Sequence, residues 1–213
     1  MVNLTLWQIH QRLQAADPAW ESLIERPELE ELRGMRRAAV LVPLLIEQAE
    51  WHLLFTRRSS RVQNHKGQVS FPGGAIEPDD ESIEAAALRE TREEIGVDAG
   101  AITILGRLPA VVSVTQYLIF PVVGMMQWPI ALRIAPEEVE RAFTIPLAWL
   151  AKPEHLERRT VVMGNGVQRE VLYYAPYQGE QVWGISAKIV EMLLQALGLY
   201  NPPSNRDKNW ALA

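Results

Sequence analysis

From Ala38 onward the chain alternates short apolar runs of β character with only two strongly helical stretches, and this texture most limits how it can fold. AAVLVPLLI (38–46) and WHLLFTRR (51–58) are rich in branched and aromatic residues and end in charged or turn residues, the mark of strands rather than helices. A basic polar loop, RRSSRVQNHKG, leads to a short strand QVSF and a PGG turn. ESIEAAALRETREEI then reads as the clearest helix, with Pro78-Asp79-Asp80 leading in, alanines favouring helix and Gly96 ending it. AITILGRLPAVVSV and YLIFPVVGMM return to β texture, PEEVERAFTIPLAWL predicts a short helix begun by a proline, REVLYYAPYQ a strand, and SAKIVEMLLQALGLY a closing amphipathic helix. Strands on both sides of helices predict an α/β (α+β) layer architecture, a mixed sheet sandwiched by helices.

Ahead of Ala38, Leu6, Ile9 and Leu13 recur at helical spacing, and DPAWESLIERPELEELR holds further short helical pieces broken by Pro18 and Pro27. The expected organisation is an N-terminal helical extension (1–37) packing on a main domain (38–199), then a polar, Pro-led, mobile tail (200–213). The glutamates at 21, 25, 28, 30 and 31 read as a solvated face.

Composition narrows the function. With 213 residues, 48% of them hydrophobic, the chain can bury a sizeable core without staples. It has no cysteine, which removes disulfides, thiolate catalysis and Cys-based metal sites, and fits a reducing cytoplasm. The net charge of −5 argues against general nucleic-acid binding but leaves room for a small phosphorylated ligand held by a local basic patch. The apolar run at 38–46 is too short to span a bilayer, and the N-terminus lacks the basic lead of a signal peptide. The expectation is a cytoplasmic protein with no membrane partner; the sequence leaves a homodimer open.

The helix 81–95 carries the chemistry. With Ile83 as origin on the helical wheel, Leu88 and Ile95 fall roughly 120–140° round, with Thr91 beside them, as the core stripe. Glu90 and Glu94 fall within roughly 20° of Ile83 and Glu93 about 80° away, so the three carboxylates form one ridge off that stripe. An Arg89–Glu93 pair suits a solvated helix. Glu90 and Glu94 do not: they are like charges at i,i+4, near a helix C-terminus that disfavours anions. A divalent cation would reverse that sign, since hard carboxylate oxygens suit Mg²⁺. The helix alone leaves a metal site and a charged surface equally open. Pro72-Gly73-Gly74 adds a turn at which a ligand can approach the main chain. Arg57, Arg58, Arg61, His65 and Lys66 add the cations that a polyphosphate needs beside a metal.

GQVSFPGGAIEPDDESIEAAALRETREEIGV resembles the Nudix box. Arg89-Glu90-Thr91-Arg92-Glu93-Glu94-Ile95-Gly96-Val97 follows its R-E-apolar-x-E-E-x-G-apolar core, with Thr91 at an apolar position. Six residues separate Gly74 from Glu81 where the general box has five, which leaves Glu81 an uncertain counterpart of the box's first glutamate. That spacing and the segments LLFTRRS (53–59), HKGQVSFPGG (65–74), SVTQYLIFPVVG and VWGISAKIVEMLL are similar to the coenzyme A pyrophosphatase branch. Val112, Gln116 and Ser186 depart from it.

The resemblance implies a Nudix-type α/β/α sandwich and hydrolysis of a pyrophosphate bond with Mg²⁺ or Mn²⁺. Glu90 and Glu94 are the implied ligands, Glu93 a further ligand or the activator of water, and Arg89 the residue orienting a box carboxylate. Glu138 is the candidate extra carboxylate, with an exposed acid at a helix start as the competing reading. For the coenzyme A branch, Arg58 above all, with Arg57, His65, Gly73, Gly74 and Tyr117, would contact a CoA-like substrate cleaved to 3′,5′-ADP and 4′-phosphopantetheine. ADP-ribose, NADH and dinucleoside polyphosphates are the rival substrates, and a non-catalytic nucleotide-binding module is the rival class.

Overall fold

The computed structural model describes residues 2–16, 32, 34–61, 66–162, 166 and 168–201. His65, the helical pieces expected within 17–31 and nearly all of the C-terminal tail lie outside these residues.

The apolar run from Ala38 lies within the central strand. β1 (Arg36–Glu47) turns through Gln48-Ala49 into β2 (Glu50–Arg58), antiparallel with Leu44 opposite Leu53. Along its other edge β1 runs parallel to β7 (Tyr117–Met126), from Arg36 beside Tyr117 to Leu44 beside Met125. β3 (Val69–Ser70) pairs with β2, and β4 (Gly73–Ala75) pairs with the first half of β1. β5 (Ile102–Arg107) and β6 (Val111–Val112) pair with β7. Pro43 falls between the stretches of β1 paired with β4 and β2, so its missing N–H vacates no ladder position on that side.

Both faces of this mixed, eight-stranded sheet are covered. In β1, Ala39, Leu41 and Leu45 pack with α2 (Ile83–Ile95), while Val42 and Leu44 pack with α1 (Leu6–Ala16) and α4 (Gly184–Ala196). A strand buried on both faces reads as a continuous apolar run rather than an alternating one. In α1, Ile9 and Leu13 are fully buried, His10 Nδ1 lies 2.9 Å from the Leu105 carbonyl oxygen, and Arg12 donates to the Leu197 carbonyl at the end of α4. The result is the expected α+β architecture. Among the described residues no helix is long and apolar enough to cross a membrane.

One element differs from expectation. PEEVERAFTIPLAWL is not a helix from its proline: β8 (Val139–Pro146) pairs along β2 on the edge opposite β1, and only α3 (Leu147–Leu150) is helical. Val139, Phe143, Thr144 and Ile145 suit a pleated surface, and the unpaired edge of β2 decides the matter where a proline signal alone would favour helix. β9 (Leu156–Val162) and β10 (Gln168–Tyr174) form a separate two-stranded ribbon.

Candidate active site

α2 begins at Ser82, whose hydroxyl accepts from the Ala85 N–H at 3.0 Å, and ends at Gly96, in the left-handed region (φ 71°) with its N–H donating to Arg92. Its buried face keeps Thr91 and Ile95 of the expected stripe but is shifted away from Leu88. Ala87, Thr91 and Glu94, at i, i+4 and i+7, lie buried with Ala86 and Ile95, while Leu88 is only half-buried. Alanines and a threonine whose hydroxyl bonds back to the Ala87 carbonyl (2.7 Å) let the helix lie close to the sheet, so the small residues rather than Leu88 mark its core line.

The carboxylate ridge is therefore divided by burial. Glu93 stands half-exposed. Glu94 is 2% exposed, with Oε2 buried and without a hydrogen-bond partner. Burial pushes its pKa up to about 8; the Arg58 guanidinium and the Gly73 N–H pull the other way, while the charges of Glu90 and Glu138 add to the rise. Glu90 is also raised, again chiefly by burial, against the favourable hydrogen bond from Arg89. An ionised carboxylate with an orphaned buried oxygen and anionic neighbours is expensive without a cation.

The Gly-Gly turn makes this approach possible. A Cβ on Gly74 would lie 2.6 Å from the Glu90 carboxylate, and one on Gly73 would lie 2.4 Å from the Ala39 carbonyl oxygen. Here β4 and α2 meet at a distance that only glycine permits.

Arg89 is the hub of the exposed side. Nη1 donates to Glu90 at 2.9 Å and Glu93 at 3.1 Å, and Nη2 donates to the Ala75 carbonyl at 2.9 Å. Nε and Nη2 grip both oxygens of Asp80 at 3.0 Å each. This fork holds Asp80 below the usual carboxylate range and raises Arg89 further above its own. Asp80, absent from the expected site, is the acid that positions Arg89. The signal was available: with five residues in between, the general box spacing, Gly74 is followed by Asp80, whereas six intervene before Glu81.

The two arginines ending β2 part company. Arg58 approaches Glu94, Nη1 to Oε1 3.9 Å. Arg57 instead bonds Glu180 at 3.1 Å and pairs with Glu140 at 3.3 Å, and Arg141 joins it on the almost fully buried Glu180. Arg57 is thus held in an ion-pair network away from the box carboxylates. Arg61 pairs with Glu137 at the surface. Glu138 lies in the turn before β8 rather than at a helix start; its carbonyl accepts from the Ser59 N–H at 2.8 Å and its charge reaches Glu90 and Glu94. Tyr117 opens β7 beneath the Arg36 guanidinium, 4.6 Å from its ring centre.

Among the described residues no three acidic or histidine side chains already cage an ion. The donor set nevertheless fits a hard divalent cation of the Mg²⁺ kind, which uses one or two carboxylates and completes its shell with water and phosphate oxygens. Glu94's unpaired oxygen is the observation that favours it.

Residues 35–163 match the Nudix domain model, and the chain belongs to the Nudix hydrolase family, whose enzymes generally use divalent metal ions. Among its relatives is a protein of Photorhabdus laumondii described as an uncharacterized Nudix hydrolase NudL, 38% identical over 75% of this chain and 84% of the relative. A protein of Escherichia coli O1:K1 with the same description is 37% identical over 82% of this chain and 90% of its own length. A solved MutT/nudix family protein from Enterococcus faecalis aligns over 93% of this chain and 81% of that one, at 18% identity and a TM-score of 0.48.

Proposed function

We propose that the protein hydrolyses the pyrophosphate bond of coenzyme A or its derivatives, with Mg²⁺ or Mn²⁺, to 3′,5′-ADP and 4′-phosphopantetheine or its acyl form. The observation that carries the hydrolytic reading is Glu94, buried with an unpaired oxygen between Glu90, Glu138 and Arg58. The substrate reading rests on the segments flanking the box, above all LLFTRRS and HKGQVSFPGG.

Glu90 and Glu94 would hold the metal, which when bound supplies positive charge for the phosphate oxygens and makes water a stronger acid. The oxygen of water attacks one phosphorus, the bridging P–O bond breaks, and the bridging oxygen leaves on the other phosphate. Glu93, half-exposed and held by Arg89, would accept the water's proton. Arg89, held in turn by Asp80, keeps Glu90 and Glu93 in position. Arg58 provides a forked cation for phosphate oxygens. Its neighbour Arg57, engaged with Glu180, stabilises the strand end instead.

The test is to incubate the purified protein and divalent metal with CoA, acetyl-CoA, ADP-ribose, NADH and a dinucleoside polyphosphate, identifying products by mass. CoA should give 3′,5′-ADP and 4′-phosphopantetheine. Cleavage of ADP-ribose with CoA untouched overturns the substrate assignment, and CoA binding without cleavage of any compound overturns the enzyme assignment.

A further inference from the structure

The contact between Arg58 and Glu94 is unfinished on both sides. At 3.9 Å the two groups attract, but the distance is too long for a hydrogen bond. Glu94 Oε2 and Arg58 Nε are both buried and lack a hydrogen-bond partner. A buried ion pair contributes to stability only when its geometry is good and its remaining donors and acceptors are satisfied. This pair meets neither condition. Arg57, one residue earlier, shares a buried Nε without a hydrogen-bond partner but has closer carboxylates, with Glu180 at 3.1 Å and Glu140 at 3.3 Å. Between the two, the register of β2 against β8 shifts, from Arg57 opposite Arg141 to Arg58 opposite Val139. That irregularity separates the arginines' partners.

Charge explains what the loose pair does. Glu90, Glu94 and Glu138 repel one another across the site, and Arg58 is the cation that offsets them at Glu94. A divalent ion brings twice that charge and can contact carboxylate oxygens directly. It would also repel the guanidinium, whose planar fork then suits phosphate oxygens.

We propose that Arg58 is an exchangeable counter-ion for Glu94: it and the divalent cation compete for one buried carboxylate, and metal arrival frees Arg58 for the substrate's phosphates. This inference rests on the metal-dependent pyrophosphohydrolase reading above, and in it Arg58 competes with the metal rather than holding it.

The experiment measures metal binding without substrate. Mn²⁺ is titrated into wild type, Arg58→Met and Glu94→Gln under argon at about pH 8.5, to limit proton competition for the carboxylate, and free Mn²⁺ is read by electron paramagnetic resonance. Removing the competing charge should tighten Mn²⁺ binding in Arg58→Met by about tenfold, while Glu94→Gln loses it. Unchanged or weaker binding in Arg58→Met, with Glu94→Gln impaired, overturns the exchange alone. Wild-type binding in Glu94→Gln instead overturns the metal-site reading beneath it. If Arg58→Met does not fold, the ¹⁵Nε resonance of Arg58 in wild type decides. Mg²⁺ without substrate should shift it, and a resonance that stays in place overturns the proposal.

Discussion

Replacing Glu94 by glutamine tests the site through stability as well as turnover. Burial holds the Glu94 pKa at about 8 against an ordinary 4.5, with the opposing pull of Arg58 outweighed. The folded protein therefore binds this proton more tightly than the unfolded chain. The stability it contributes is complete below about pH 4.5 and is lost as pH rises to about 8. That gap is worth at most about 5 kcal/mol, a large share of the stability of an ordinary domain. Glutamine resembles the protonated acid and has no proton to lose. In urea denaturation with a chelator present, the variant should gain several kcal/mol on wild type between about pH 5 and pH 8. Added Mg²⁺ should restore wild type at the alkaline end and leave the variant unchanged, since only a ligand that prefers the folded state stabilises it. Turnover of the variant should fall by orders of magnitude. Parallel pH profiles for the two proteins would refute the account of Glu94 as a buried, strained carboxylate awaiting a cation.

Three further substitutions separate the roles around it. Asp80→Asn loosens the fork that fixes Arg89, so kcat should fall about 10- to 100-fold with KM little changed; a wild-type kcat would remove Asp80 from the site. Gly74→Ala places a methyl group 2.6 Å from the Glu90 carboxylate, and activity should then need a markedly higher metal concentration; an unchanged metal titration would show that Glu90 is not held against β4. Glu180→Gln leaves Arg57 and Arg141 without their shared buried counter-charge and should cost about 3 kcal/mol of stability, read by denaturant melts, while turnover per folded molecule is maintained. A large kcat loss there would return Arg57 to the substrate.

Much of the site was legible because its signals are local. The alanine-rich segment and Gly96 predicted α2, and like charges at i,i+4 marked Glu90 and Glu94 as poor choices for a helix and good ones for a cation. The apolar run from Ala38 announced a strand, which folding then buried on both faces. The failures came where a local rule met a non-local partner. Pro136 signalled a helix, but the open edge of β2 took residues 139–146 as a strand. Periodicity marks Leu88 as a core residue, yet the helix approaches through Ala86, Ala87 and Thr91, because small side chains allow the closer contact.

The sequence by itself determined the spacing of the box, the three carboxylates on one helix and the glycine turn beside them, all properties of chain geometry within a few residues. Only the tertiary structure decided that Glu94 is the buried member, that Asp80 rather than Glu81 holds Arg89, and that of two adjacent arginines Arg58 faces Glu94 while Arg57 pairs with Glu180. Periodicity places a side chain on a face. The cost of its charge depends on what is packed around it, and those groups come from β2, β4 and the turn before β8, brought together only by folding.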